Sequence, residues 1–473
     1  MLGIAQHLEP IAAFVSNFPS HRWGNSSYVY RLVGLLRSWQ RGSWLLQWAN
    51  PIGFALVSLV FALAPFVSTS LIGVLLLACA GFWALLTISG TGTNKSGSKP
   101  FGPAPIPFVV LLYWGIALVA TAFSPVKEAA LQGWVKFSLY LVFFALMARL
   151  LRSQRFRNWL ILLYLHISLI VSVYGVQQWR MGVQPLATWN DPDSTLAKVT
   201  RVYSYLGNPN LLAGYLIAAV VFSAAAFFVW RSWVAKALAL NMFGINAACM
   251  AFTWSRGGWL GLVAAGGVFL LLVLWWWSAR LPRFWQTWLL PICLGTMAAG
   301  LVAVVIVVDP LRDRVTSIFA GRGDSSNNFR INVWLAVLEM IRDRPVLGIG
   351  PGNDAFNLIY PLYGGARYSA LSAYSIFLEV AVEVGVIGLG CFLWLIATLG
   401  GQGWLQLQRL RRRGNSQGFW LIAALATVVG MLVHGLVDTV WYRPQISTVW
   451  WLMVALVASF YIPPGQGQSV TNE

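Results

Sequence analysis

The sequence predicts an all-α polytopic membrane protein with about twelve transmembrane helices, and three observations support this fold class. The chain is 58% hydrophobic and 10% charged, with a mean hydropathy of +0.69, which excludes a soluble domain. Its apolar residues fall into stretches near the ~20 residues that a helix needs to cross the hydrocarbon core. Lys and Arg concentrate in alternate connections between those stretches, which is typical of polytopic membrane proteins.

Twelve apolar stretches, taken in chain order, are the predicted spans. They cover approximately residues 51–67, 69–90, 105–124, 130–148, 158–179, 210–230, 233–254, 257–277, 286–308, 372–400, 418–440 and 446–463. The first falls short of the ~20-residue requirement, whereas most of the others meet it. The ninth and tenth are separated by a large loop, residues 309–371, which we expect to be partly helical.

The distribution of basic residues predicts that both termini are cytoplasmic. One set of alternate connections carries 18 basic residues with only Glu9 and Glu473 as acids, whereas the other set carries 13 basic and 9 acidic residues. Cytoplasmic connections are the ones enriched in Lys and Arg. Residues 180–209 and 309–371 are therefore predicted to lie outside, on the face where we expect the chemistry.

The chain divides into a transmembrane bundle, residues 50–463, and two cytoplasmic ends. Within the N-terminal segment, 1–49, leucines and a tryptophan recur at helical spacing among arginines, which predicts an amphipathic helix on the membrane surface. Residues 464–473 form the C-terminal tail. We expect a multi-pass protein of the plasma (inner) membrane with the lipid bilayer as its first partner, and the sequence leaves the oligomeric state open.

The net charge of +18 does not indicate a nucleic-acid partner, because most of the excess lies in the predicted cytoplasmic connections, where it orients the protein. No basic stripe interleaved with aromatic residues is present to follow a phosphate backbone. The 4 cysteines lie within apolar stretches and lack metal or redox spacing. The sequence therefore predicts no metal site, no cofactor and no disulfide framework.

Two of the predicted helices begin on the outer side at polar motifs. Asn208 is a predicted N-cap followed by proline at the first helical position, and Ser255-Arg256 opens the second of these helices. Free N–H groups and the positive dipole end at such a terminus favour anions. Arg256 lies at one of these ends and Arg201 shortly before the other. The sequence therefore predicts an anion site, because guanidinium forks suit carboxylate, carbonate or diphosphate oxygens.

The outer loop adds further arginines, for which two interpretations are open. Arg256 and Arg330 have no acidic residue nearby in sequence, so we favour an anion-binding role for both, with Arg322 as a further candidate. Four other arginines each have an acid within a few residues, which favours ion pairs on a solvated loop; these are Arg312, Arg314, Arg342 and Arg344.

One part of the outer loop, residues 329–344, is predicted to be a helix that lies on the membrane or covers a cavity. Five apolar side chains share one helical face there, namely Ile331, Trp334, Leu335, Leu338 and Ile341. Asn327 and Asn328 are available to cap its start, and Pro345 is expected to end it.

Two pairs of titratable residues lie in the predicted spans 10 and 11. His434 and Asp438 are four residues apart, which predicts a hydrogen-bonded pair that is either structural or part of a proton relay. Glu379 and Glu383 repeat that spacing, and two carboxylates so close would form a proton-linked site or only share a proton.

Several motifs give the chain a family likeness. The segments "LGNPNLLAGYL" (206–216), "TWSRGGWLGL" (253–262), "FRINVW" (329–334) with "PVLGIGPGN" (345–353), and "LEVAVEVGVIGL" (378–389) resemble the O-antigen ligase and polymerase superfamily over about residues 200–455. Within it, "RVYSYLGNPN" (201–210) and "GRGDSSNNFRINVWLAVLEMI" (321–341) are most similar to cyanobacterial membrane proteins of inorganic carbon accumulation that are described as bicarbonate transporters.

The resemblance implies which residues are functional, and it shows one position where this sequence departs from the pattern of the superfamily. Ligases of this superfamily move glycans from an undecaprenyl diphosphate carrier, using two outer-face arginines that correspond here to Arg256 and Arg330. Their histidine opens an H-N-x-x-L segment, and alignment on Glu383 and Gly385 places Tyr374-Ser375 there. A tyrosine, with an ordinary pKa near ~10, does not replace an imidazole as a base near pH 7.

Three functional hypotheses follow. The leading one is a membrane protein of inorganic carbon accumulation with bicarbonate as its small-anion substrate and an arginine-lined outer site. The alternative is an O-antigen-ligase-like glycosyltransferase that uses an undecaprenyl-diphosphate-linked glycan, and the third is an accessory subunit. Whether the chain is an enzyme stays open, with Tyr374, Glu383, His434 and Asp438 as the candidate catalytic residues.

Overall fold

The computed structural model describes residues 47–89, 104–184, 200–278, 281–307, 309–319, 321–364 and 370–462. Within these ranges every regular element is helical: fifteen α-helices and four short 3₁₀ turns. The predicted N-terminal amphipathic helix and the C-terminal tail lie outside the described residues. So does Arg367 of the outer loop.

Twelve of the helices correspond in order to the predicted spans. They are α1 (Ala49–Leu63), α2 (Thr69–Ile88), α3 (Pro105–Ala122), α4 (Lys127–Leu150), α5 (Gln154–Met181), α6 (Pro209–Val229), α7 (Trp233–Phe252), α8 (Arg256–Ser278), α9 (Arg283–Val307), α13 (Ile376–Arg412), α14 (Gly418–His434) and α15 (Pro444–Ser459). Among the described residues, nine of these are long and apolar enough to cross a membrane, and α1, α14 and α15 are shorter apolar helices. The all-α polytopic fold class is thereby confirmed, while the count of twelve and the side of the termini stay predictions.

The centre of the bundle is α6, which is buried over most of its length. It packs against α5, α7, α8, α14 and α15, and its small residues, such as Ala213, Gly214 and Ala218, permit this close approach. The extensive contact between α8 and α14 uses small residues in the same way, since the Gly261 and Gly430 backbones face each other. A helix enclosed by five others cannot shift easily, so α6 holds its neighbours in place.

The outer loop between α9 and α13 contains α10 (Asp309–Phe319), α11 (Ser325–Asp343) and α12 (Asn353–Ile359). The predicted helix is present as α11, but it begins earlier than expected because Asp324 caps it, accepting a hydrogen bond from the backbone N–H of Asn327. The prediction of Asn327 or Asn328 as the cap is therefore wrong. The buried face is also displaced: Val333, Val337 and Met340 form a separate hydrophobic core with the loop that follows, whereas Leu335 and Leu338 are exposed.

A glycine-rich turn joins this loop to α13. The N–H groups of Ile349 and Gly350 donate to the carbonyls of Val382 and Glu383, and the N–H of Val386 donates to the carbonyl of Pro345. At this point Gly385 leaves helical geometry with a φ of 69°, and a Cβ there would overlap the Val346 carbonyl. The helix is thus interrupted, and the turn supplies the hydrogen bonds that the interruption removes.

Candidate functional site

The two predicted helix starts have the expected geometry. Asn208 Oδ1 accepts hydrogen bonds from the backbone N–H groups of Asn210 at 2.8 Å and Leu211 at 3.4 Å, and Pro209 is the first residue of α6. Ser255 Oγ accepts from the N–H of Gly258 at the start of α8. Asn208 is thus a capping residue. It does not line the cavity that lies between the starts of α6 and α8 and is described next.

A cavity of about 240 Å³ lies between the starts of α6 and α8 and the loop helices α10 and α11. We call it the arginine cavity, because its described lining includes four arginines and a single carboxylate: Arg201, Arg256, Arg314, Arg330 and Asp438. Asn210, Ser255, Ser326, Asn327 and Trp334 add side chains that can donate hydrogen bonds. The lining therefore carries an excess of positive charge and of donors.

Arg256 connects the bundle to the outer loop. Its Nη1 donates to the carbonyl and hydroxyl of Ser317, and its Nη2 lies 2.9 Å from Asp324 Oδ1. Burial alone would raise the pKa of Asp324, but the hydrogen bonds from Arg256 and from the Asn327 N–H outweigh it and lower that pKa. No acidic residue lies close to Arg256 in sequence. In the folded chain, however, Asp324, which is 68 residues further along, lies next to it.

Arg314 contradicts the prediction of a solvated ion pair. It is buried, lines the arginine cavity and donates from Nε and Nη2 to the carbonyl of Trp254. The carbonyl is available because Trp254 lies in the non-helical link between α7 and α8. Arg312 behaves as predicted, paired with Asp309 at 2.8 Å, and Arg342 and Arg344 are exposed.

Arg330 and Asp438 form an ion pair in the wall of the arginine cavity. Arg330 Nη2 lies 3.5 Å from Asp438 Oδ2, and that oxygen also accepts a hydrogen bond from Asn210 Nδ2 at 2.8 Å. Arg201 completes the rim, donating from Nη2 to Asn210 Oδ1. Arg330 Nη1 donates to Ser326, but its Nε is buried without a hydrogen-bond partner. An unpaired buried donor is costly, so this nitrogen favours a ligand acceptor.

The arginines of the cavity repel one another. Burial, followed by the charges of Arg330 and Arg256, lowers the pKa of Arg201 to about 10. Burial and the charges of Arg201 and Arg256 lower the pKa of Arg314 to about 9 despite the opposing effect of Asp324. Both remain protonated near pH 7, and the part of each pKa shift that comes from neighbouring arginines is repulsion that an anion would relieve.

The candidate Arg322 lies apart from this cluster. It is exposed and donates to the side-chain oxygens of Asn328 and Asn332, both at 3.2 Å, along the first turns of α11. It is not among the residues that line the arginine cavity.

Tyr374 lies between α11 and α13, near the cavity but not lining it. Its ring packs edge-on against Phe329, and its carbonyl accepts a hydrogen bond from Trp334 Nε1. Burial, and then the charge of Asp438, raises the pKa of Tyr374 to about 12. The backbone φ of 48° is in the left-handed region, where histidine is among the enriched residues.

His434 does not form the predicted hydrogen bond with Asp438. The helix α14 ends at His434, so Asp438 lies in the following turn rather than one helical turn further along the same face. Both ring nitrogens of His434 are buried without a hydrogen-bond partner. The ring packs beneath Gly257, where a Cβ would lie 2.9 Å from His434 Cδ2. His434 is therefore close to the arginine cavity but is not part of its lining.

Glu379 and Glu383 line a second cavity of about 250 Å³, between α3, α4, α13 and α15. We call it the aromatic cavity, because many of its lining residues carry rings: Tyr113, Phe137, Tyr140, Phe392, Trp441, Tyr442, Trp450 and Trp451. The two cavities are neighbours, since Asp438 lines the first and Thr439, the next residue, lines the second. Glu383 is thus separated from the arginines.

Sequence reasoning missed Arg314 and the position of Asp438. Nothing near Arg314 in sequence distinguishes it from Arg312, which is exposed. For Asp438, a signal was present: an acid close to the end of a span is costly unless paired, and its partner proved to be Arg330 rather than His434.

Comparison with known proteins supports the resemblance to the O-antigen ligase superfamily. Residues 240–393 match a family model described as O-Antigen ligase, which covers less than half of the chain. The match includes Arg256, Arg314 and Arg330 but ends before His434 and Asp438. A comparison with curated proteins finds no match. Nothing found supports the narrower resemblance to bicarbonate transporters.

Proposed function

We propose that this protein is an outer-face membrane glycosyltransferase whose arginine cavity holds the diphosphate of a lipid-linked glycan. The observation that carries the proposal is the convergence of four arginines on one cavity with a single carboxylate among its described lining residues. Guanidinium groups hold phosphate oxygens in forked hydrogen bonds, and the starts of α6 and α8 add a favourable dipole. The match to the O-Antigen ligase model supports the same class of substrate.

The arginines have different tasks in this proposal. Arg256 is engaged with Ser317 and Asp324, so it mainly holds the outer loop against the bundle. Arg330 lines the cavity, and its Nε has no hydrogen-bond partner. Arg201 and Arg314 contribute positive charge that their own hydrogen bonds do not neutralise, since both donate to uncharged oxygens.

Asp438 is the group we propose as the general base. The acceptor hydroxyl oxygen would attack the anomeric carbon, and the bond from that carbon to the diphosphate oxygen would break. The electron pair leaves with the lipid diphosphate, and the hydroxyl proton passes to Asp438. Its hydrogen bond from Asn210 and its contact with Arg330 fix the carboxylate at the cavity wall. Tyr374, with its raised pKa, does not suit this role at neutral pH.

Reconstitution in liposomes tests this proposal directly. We expect purified protein to consume a lipid-diphosphate-linked glycan when an acceptor is supplied, and Asp438→Asn to slow turnover by about 10²–10⁴-fold, as expected for a lost base. Asp309→Asn is the matched control, because Asp309 is an exposed carboxylate paired with Arg312.

The same liposomes decide between this proposal and the bicarbonate hypothesis. Bicarbonate flux is measured in parallel with glycan consumption, using protein-free vesicles as the blank. Flux that depends on Arg330, in preparations that do not turn over any lipid-linked glycan, would overturn the transferase proposal.

A further inference from the structure

The two glutamates of the aromatic cavity are held in fixed orientations by backbone groups. Glu379 Oε2 accepts a hydrogen bond from the N–H of Ala373 at 2.5 Å, and Glu383 Oε1 accepts one from the N–H of Gly352 at 2.7 Å. The other oxygen of Glu379, Oε1, is buried and has no hydrogen-bond partner, although this residue is only 5% exposed. A buried carboxylate oxygen left unpaired is costly, so this position favours a ligand that donates a hydrogen bond.

A second unsatisfied group belongs to the same cavity. Thr439 is 1% exposed, and its hydroxyl oxygen has no hydrogen-bond partner. Thr439 comes from the segment between α14 and α15, whereas Glu379 comes from α13, so the two groups belong to different parts of the wall. Two unrelated elements therefore leave polar atoms unpaired around one cavity, which is the arrangement of a binding site rather than of a packing defect.

The cavity also contains a hydrogen-bond donor. Lys136 is one of its lining residues, and the Lys136 ammonium is held by Asp354 at 2.7 Å. Carboxylate oxygens that accept and an ammonium that donates together match a ligand whose groups do both, as hydroxyl groups do.

Ring faces supply the apolar part of the lining. The rings of Trp441 and Trp450 lie 4.0 Å apart between centroids, and Phe392 lies within 6.4 Å of both. Flat apolar surfaces with a few fixed polar groups suit a ring that is apolar on its faces and carries hydroxyls on its edge.

We propose that the aromatic cavity is a sugar-binding site that takes one neutral sugar ring. Hydroxyl groups of the sugar would bond to Glu379 and Thr439, and its face would pack against an aromatic ring of the lining. This inference rests on the proposed glycosyltransferase function, because it assigns the ring to one of the two glycan reactants. The arginine cavity, one residue away at Asp438, would hold the diphosphate.

Ligand-observed saturation-transfer NMR on the full chain in lipid nanodiscs, without sugar-headed detergent, tests this site. The probes are methyl β-glucoside, which is neutral, tetramethylammonium, which is a cation, and methyl phosphate, which is an anion. Each carries methyl groups that the NMR experiment detects. We expect methyl β-glucoside to give the strongest signal at this site, with affinity reduced about tenfold or more in Glu379→Gln and reduced also in Thr439→Val. Retained sulfate binding by both variants shows that each is folded.

Arg330→Ala separates this inference from the proposed function. That variant should lose affinity for sulfate while it still binds methyl β-glucoside, because Arg330 does not line the aromatic cavity. Sugar binding that is equal in wild type, Glu379→Gln and Thr439→Val would overturn the inference. Selective binding of tetramethylammonium that Glu379→Gln removes would also overturn it, and would identify a cation site. Either result leaves the diphosphate proposal to be judged by turnover alone.

Discussion

The arginine cavity and the aromatic cavity lie side by side but carry opposite charges. The first brings together four arginines from the outer loop, the start of α8 and the link before α6. The second brings together two glutamates from a single turn of α13 with a set of ring faces. The segment 435–439 lies between them, with Asp438 and Thr439 facing opposite sides.

This separation shows how the fold keeps charge available for ligands. Had the glutamates met the arginines, the groups would neutralise one another as buried ion pairs, and neither cavity would have an unsatisfied atom. Instead, Glu379 and Glu383 take their hydrogen bonds from backbone N–H groups. Arg201 and Arg314 likewise donate to backbone carbonyls. Neutral partners orient the charges without cancelling them.

The largest effect we expect comes from Arg330. Replacement by Ala should weaken binding of pyrophosphate or sulfate by about 10–100-fold, because it removes charged hydrogen bonds to the anion. Arg330→Lys should be impaired as well, since an ammonium does not reproduce the planar fork. Isothermal titration in nanodiscs measures the affinities.

Arg312→Ala is the matched control for this comparison. It removes the same charge from an exposed arginine that is paired with Asp309 outside the cavity. Equal losses in Arg330→Ala and Arg312→Ala would mean that anions respond to the general charge of the outer face rather than to the arginine cavity.

A medium effect is expected for the pH dependence of anion binding. Arg314 loses its proton as the pH rises through its lowered pKa of about 9, so sulfate affinity should fall across that range. In Arg314→Lys the fall should move to lower pH by about two units, because lysine starts from a lower pKa than arginine. Sulfate is the suitable probe, since its own charge is constant there. A profile that is unchanged in Arg314→Lys would exclude this residue from the anion site.

The smallest effect is expected for Tyr374→Phe. The pKa of Tyr374 is raised to about 12, so the hydroxyl stays protonated near pH 7 and accepts no proton from the substrate. Glycan turnover in the liposome assay should therefore change by no more than about twofold. Tyr374→His is the informative companion, because the backbone there is one that histidine tolerates. Collapse of turnover in Tyr374→Phe alone would make this tyrosine the catalytic group in place of Asp438.

Local patterns predicted the helices of this fold well. Apolar length located the twelve helices, and Asn208-Pro209 correctly marked the start of α6. These features depend on neighbours in sequence, which is why sequence reasoning can find them. The side of the membrane follows from charge and stays a prediction.

The candidate site was less accessible to sequence reasoning, because its contacts join distant segments. Arg256 reaches Asp324 across 68 residues, and Asn210 reaches Asp438 across 228. Counting acids near each arginine therefore failed for Arg314, whose partner is a backbone carbonyl. Identifying such partners requires the packing of α8, α10 and α14 to be known first.

The interruption of α13 at Gly385 also has a consequence for the biogenesis of the protein. The turn that satisfies the carbonyls of Val382 and Glu383 precedes α13 in the chain, so it is synthesised before this span is complete. Until the turn docks, the span contains backbone groups that lipid cannot satisfy, at a cost of several kcal/mol each. We therefore expect the insertion of α13 and the docking of this turn to be coupled. A chain with the loop cut out should stall at this stage of assembly and be exposed to membrane quality control.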